Sequence, residues 1–234
     1  VLVAANGKLT ATADPLTDWE AGSYAYLKLN ADLTIADLGG KELTVDLNGY
    51  DLTVGGSGNV KAFDSQNDNY SAVLCGKITA TGDVTVEKET FAPNGNRYIA
   101  LTEGNVTTLH RLAMEITAVT LRTNAAGVYY KAAYHCDDAL AAKVTSYGVA
   151  LSVLGQPNAE NMGSRGSYTI FEDFESGPLG NLGNTSSTLL KGILKTGNSR
   201  IQNIRNLSTT VYGRAYAKTT DGLVLVGGVI SRSL

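Results

Sequence analysis

The amino-acid sequence predicts an all-β chain: an N-terminal curled, solenoid-like β-domain followed by an antiparallel β-sandwich. Three observations point there. Apolar and polar residues alternate in short runs, and 3.6-residue periodicity is almost absent. Gly, Asn and Asp punctuate those runs at short intervals. Residues 31–56 also repeat one acid-led phrase three times, as Asp32-Leu33-Thr34-Ile35, Glu42-Leu43-Thr44-Val45 and Asp51-Leu52-Thr53-Val54.

The first strand-like run spans 24–29, and the repeat follows it. The phrases are ten and then nine residues apart. That is too short for a whole coil of a wide β-helix, so successive phrases would form different sides of one coil, with Leu33, Leu43 and Leu52 pointing into the core. Asn48-Gly49 supports a rival reading, a plain hairpin meander, because a type I′ turn wants positive φ at both central positions. Further strands are expected over 77–81, 83–87 and 97–102. After Phe91 the texture changes: "FAPNGNRYIAL" carries a Pro and a second Asn-Gly, and the later strands are longer and richer in Tyr and Ala. A boundary is expected within 90–96, giving domains 1–93 and 94–234.

In the second domain, strands are expected over 106–122, 128–134, 147–154, 189–194 and 211–218, around a Gly/Asn/Ser-rich middle at 155–188. Asp137 to Val144 is the exception, since two acids lead a short Ala/Leu run, which suits one or two helical turns with acids at the positive end. The closing hairpin turns at Asp221-Gly222, with Tyr212, Arg214, Tyr216 and Lys218 on one face and Gly213, Ala215 and Ala217 on the other.

Composition narrows the function. The 234 residues carry a net charge of -3 with 18% charged side chains, and Lys and Arg are scattered singly. A nucleic-acid surface normally shows a basic stripe, and none is visible. Many Gly, Thr, Asn and Tyr with few charges is the texture of extracellular β-proteins. No apolar run approaches the roughly 18 to 20 residues of a spanning helix. The chain opens on Val1-Leu2-Val3-Ala4-Ala5, the start expected of a processed product, a fragment or a portion of something longer. Two cysteines, Cys75 and Cys136, are too few for a disulfide framework; buried thiols are the expectation and one bridge the alternative.

"LTVDLNGYDLTV" resembles a phrase that recurs in large surface proteins of gut Firmicutes, often in β-helical segments. The resemblance continues through "AFDSQNDNY", "NRYIALTE", "LHRLAMEITAVTLR", "AGVYYKAAYHCDD" and "SYGVALSV" to "YGRAYAKTTDG", an ordered series covering most of the chain. It implies an extracellular, cell-wall or secreted module of a multidomain bacterial protein. No catalytic residues come with it.

Candidate chemistry is sparse. His135-Cys136-Asp137-Asp138 is the densest reactive cluster, but strand neighbours point to opposite faces, and no H-x-x-x-H or C-x-x-C accompanies it. A strand end feeding the short helix is the simpler reading. Residues 64–69, Asp-Ser-Gln-Asn-Asp-Asn, are oxygen-rich, so Asp64 and Asp68 are candidate calcium ligands. The EF-hand pattern fails, because no Gly sits at its sixth position and no Glu at its twelfth, and a polar turn is the alternative. Tyr129 and Tyr130, with Tyr134, Tyr147 and Trp19, are candidates for stacking on a sugar. Val1, Leu2 and Val3 are candidates for assembly: an apolar terminal strand that adds to a neighbour's open edge.

These readings converge on a non-catalytic structural module of a bacterial surface or extracellular assembly, secreted or cell-surface, with no cofactor unless it is calcium. Its expected partners are copies of itself or neighbouring modules, not nucleic acid. The alternative is a carbohydrate-binding or adhesin module; a β-helical carbohydrate-active enzyme is more distant.

Overall fold

A computed structural model of the chain describes residues 2–5, 8–11, 25–67, 70, 75–121, 127–152, 169–176, 188–195 and 210–233. Strands dominate, so the all-β expectation holds. Two units divide between Leu112 and Ala113.

The first unit begins with β1 (Leu2–Ala5), β2 (Lys8–Ala11), β3 (Tyr26–Lys28), β4 (Leu33–Ile35), β5 (Lys41–Asp46) and β6 (Leu52–Val54). It continues with β7 (Ser57–Phe63), β8 (Lys77–Ala80), β9 (Asp83–Val86), β10 (Glu89–Phe91), β11 (Arg97–Glu103) and the first half of β12 (Val106–Leu121). One sheet runs β2-β1-β3-β5-β7-β9 and the other β10-β11-β12-β8-β6-β4. From β3 to β9 the chain alternates between the two sheets, and each return lays a strand parallel to the one before. Leu27 stands beside Val45, which stands beside Ala62; in the other sheet Leu33 stands beside Leu52, which stands beside Ile78.

The thrice-repeated phrase follows from this alternation. Leu33 and Leu52 share a sheet while Leu43 belongs to the opposite one, and the two sheets place their apolar residues in one core. Leu43 and Leu52 are fully buried. Leu33 is half-buried against the same core, because β4 is the outermost strand of its sheet. Burying a leucine contributes roughly 1.5 to 3 kcal/mol, which makes these positions the spine of the unit.

The hairpin reading of Asn48-Gly49 is corrected. Asn48 (φ 48°) and Gly49 (φ 82°) do adopt the left-handed conformation that the dipeptide favours. The strands they join, β5 and β6, lie in different sheets. The turn is a corner between sheets, not the tip of a hairpin.

The texture change at 90–96 also marks something other than a domain boundary. There the pairing switches from parallel to antiparallel. β10 pairs with β11, β11 with Val106–Leu112 of β12, and β12 with β8, so all three extend the first unit's second sheet.

In the second unit the rest of β12 pairs with β13 (Gly127–His135). Then follow α1 (Asp138–Lys143), β14 (Val144–Ser152), β15 (Thr169–Ser176), β16 (Thr188–Lys195), β17 (Thr210–Thr219) and β18 (Val224–Ser233). β16 pairs with β13, and a four-stranded antiparallel sheet runs β15-β14-β17-β18. Helix α1 starts where its acids indicate: Asp137 is the N-cap, its carboxylate accepting from the Leu140 N–H, and Asp138 occupies the first turn.

Tyr134 of β13 is fully buried, and its hydroxyl donates to the carbonyls of Gly148 (2.5 Å) and Tyr216 (3.2 Å). Its ring meets Tyr147 edge-on at 5.5 Å. The closing turn at Asp221-Gly222 is present, held by the Thr219 carbonyl and hydroxyl, which accept from Gly222 and Leu223. Along β17 the two faces alternate as expected, with Gly213, Ala215 and Ala217 buried and Tyr212, Arg214 and Lys218 half-buried on the other face. The β17–β18 register slips between Arg214 and Tyr216, and Ala215, Tyr216 and Ala217 are all fully buried. Tyr216 keeps the face it shares with Arg214 and Lys218, and the Lys218 ammonium lies 5.5 Å from its ring centroid, but both faces of the sheet are covered at that point.

Candidate functional site

Asp32 and Asp51, which lead the first and third phrases, are tied to the backbone of the following coil, while Glu42 of the second pairs with the Lys61 ammonium. Asp32 Oδ1 accepts from the Asp51 N–H at 2.9 Å, and Asp51 Oδ1 accepts from the Lys77 N–H at 2.8 Å. At another corner Asp46, 1% exposed, accepts from the N–H groups of Asn48 (3.0 Å) and Ser65 (2.9 Å). Lys28 Nζ reaches the other oxygen of Asp46 at 3.1 Å and the Ser65 hydroxyl at 2.9 Å. Parallel stacking leaves corner N–H groups without a ladder partner, and a carboxylate one coil away supplies the acceptor.

Asp64 is the most enclosed of these acids, with no exposure at all. Its oxygens accept from the N–H groups of Gly76 (2.8 Å), Gln66 (2.9 Å) and Gly49 (3.1 Å), and its own carbonyl accepts from the buried Tyr98 hydroxyl at 2.8 Å. Burial pushes the Asp64 carboxyl above the ordinary carboxylate range and the neighbouring Asp46 adds to the rise, while the three N–H bonds pull the other way. The geometry leaves little room for a side chain at residue 76, where a Cβ would lie 1.9 Å from the Tyr50 carbonyl oxygen.

The calcium candidates are thus separated in what is known of them. The Asp64 oxygens are engaged with backbone N–H groups, and Asp68 lies outside the described residues. Among the described residues, no three His, Cys, Asp or Glu side chains gather as a metal site would require.

His135-Cys136-Asp137 does not form a reactive pair. Cys136 is buried, and burial, with Asp137 and Asp138 nearby, pushes its thiol up to about 12, so it is protonated at neutral pH and a poor nucleophile. Asp137 is occupied as the helix cap. No disulfide links Cys136 to the half-buried Cys75. The other histidine, His110, is buried in β12 with Nε2 at 2.8 Å from the Thr108 hydroxyl.

Tyr129 and Tyr130 occupy consecutive positions of β13, paired with Ile193 and Gly192 of β16, but their side chains lie outside the described residues, as does Trp19. Val1 also lies outside them. Leu2 and Val3 belong to β1, which is flanked on both sides by its own chain: Val3 stands opposite Thr10 on β2 and Leu27 on β3. Donating this strand to a neighbour would first require breaking both ladders. Two features escape sequence reasoning altogether. One is an exposed aromatic, Phe91 (55% exposed), with the Arg97 guanidinium 5.0 Å from its ring centroid. The other is a hollow of about 260 Å³ beside β9, lined by Ala80, Val84, Val86, Thr102, Asn105 and Thr107. Neither has a sequence signal, because both depend on which strands end up side by side.

Among the described residues, no helix is long and apolar enough to cross a membrane. Compared with protein-family models, curated proteins and solved structures, the chain matches none.

Proposed function

We propose that this chain is a non-catalytic structural module of a bacterial surface or extracellular assembly, and that it associates with copies of itself. In this reading the first unit is a short solenoid-like coil and the second a sandwich-like pair of sheets. The observation that carries it is the fate of the acids: Asp32, Asp46, Asp51 and Asp64 each hold backbone N–H groups of another coil, a use that stiffens the stack rather than performing chemistry. Open strand edges supply the means of association, since β9 pairs on one side only among the described residues. Sedimentation velocity over a micromolar-to-millimolar series tests this. Mass growing with concentration is expected, and a monomer throughout the series contradicts it.

Phe91 favours a second reading, a carbohydrate-binding or adhesin module. An exposed ring backed by a guanidinium is a surface on which the C–H face of a sugar can stack. Phe91→Ala should then abolish retention on a glycan array. Unchanged retention, or none by the parent protein, removes this reading.

A further inference from the structure

The hollow beside β9 has the form of a strand-acceptor site. Asp83 donates its N–H to the Gly56 carbonyl and Glu87 to the Val60 carbonyl, so the backbone groups of residues 83, 85 and 87 face β7. Backbone direction alternates along a parallel strand, so the N–H and C=O groups of Val84 and Val86 face the other way, out of the open edge of the sheet beside the hollow. Past this point the Lys88 carbonyl accepts from the Ala100 N–H at 2.9 Å, and β10 pairs with β11. The hollow is the opening left before β11 joins: one side is the open edge of β9, the other the turn between β11 and β12. Its described lining carries no ionisable side chain, whereas Asp83, between the lining residues Gly82 and Val84, and Glu103, between Thr102 and Gly104, are both exposed.

We propose that this opening takes an edge strand of a second copy of the chain, the segment Val229–Arg232 of β18; the proposal rests on the self-associating reading above. β18 is the outermost strand of its sheet and pairs only with β17 among the described residues. Arg232 is its one charged residue and is exposed. Laid antiparallel to β9, the segment sets Val229 opposite Val86, Ser231 opposite Val84 and Arg232 opposite Asp83. Directly opposite residues share a face. Val229 and Ser231 then enter the hollow beside its valines and threonines, while Arg232 meets the two acids outside it. Donor and acceptor surfaces differ, so the contact is heterologous and propagates unless rotation closes a ring.

Charge reversal with rescue tests this by sedimentation velocity, with far-UV circular dichroism confirming that each variant is folded. Arg232→Glu and Asp83→Arg should each weaken association on the order of tenfold, and the double variant should recover it, because the charge pair is restored in reverse. If the parent chain associates but either single variant matches it, or the double variant does not recover, the β9 site is wrong and self-association stands by another surface. If the parent chain stays monomeric throughout, both the site and the self-associating reading fall.

Discussion

Replacing Asp64 tests the idea that buried acids hold the coils together. Asp64→Ala removes the acceptor for three N–H groups. The Gly76 N–H is buried, and leaving it without an acceptor costs about 1 to 3 kcal/mol. The bonds from Gly49 and Gln66 are only part-buried, so water can replace the carboxylate there, and each contributes roughly 0.5 to 1 kcal/mol. Relief of the carboxylate's own desolvation offsets part of the sum. The net loss should be about 2 to 4 kcal/mol, a large share of an ordinary domain's stability. Asp64→Asn keeps one acceptor oxygen and should lose about half as much.

The pH dependence carries a sign that separates this role from an ordinary salt-bridged acid. A carboxyl whose folded-state pKa lies above its unfolded value binds more protons folded than unfolded across that interval. Its contribution is fully present below the unfolded value and is lost as pH rises through the folded one. Because burial raises Asp64, the stability gap between the parent protein and Asp64→Asn should narrow as pH climbs through and above the usual carboxylate range. Urea unfolding at a series of pH values measures it. A loss below about 1 kcal/mol for Asp64→Ala would refute the clamp, and a gap that widens with pH would refute the sign.

Leu43→Ala should cost roughly 2 to 5 kcal/mol in chemical denaturation, since the side chain is fully enclosed between the sheets of the first unit. Tyr134→Phe keeps the ring and removes the hydroxyl that reaches Gly148 and Tyr216, and should cost about 1 to 2 kcal/mol in the same assay. Cys136 should resist alkylation at pH 8 in the folded protein and react once the chain is unfolded in denaturant; rapid labelling of the folded protein would contradict its burial and raised thiol pKa.

The features legible in the sequence are the local ones. Period-two alternation announces strands wherever one face is buried, and Asp137 announces helix α1 because capping is decided within a few residues. The left-handed corner at Asn48-Gly49 was equally legible. What it joins was not: turn chemistry is local, while the choice between a hairpin and a corner depends on which apolar faces close a common core. The domain boundary failed for the same reason, since β10 and β11 change texture yet pair back onto the first unit. Tyr216 keeps the face its alternation assigns yet is fully buried, because the sheet is covered on both faces there, and the pattern of one strand does not reveal what packs on it. The oxygen-rich run at 64–69 drew attention to the right place. The bond from Gln66 is the local polar turn, but those from Gly49 and Gly76 come from fifteen and twelve residues away in sequence, which spacing alone does not reveal.

Negative-stain electron microscopy of the purified chain at increasing concentration tests the central claim most directly. A structural module that joins copies through open strand edges should appear as linear or lattice-like assemblies whose length grows with concentration. A field of uniform single particles at every concentration would contradict it.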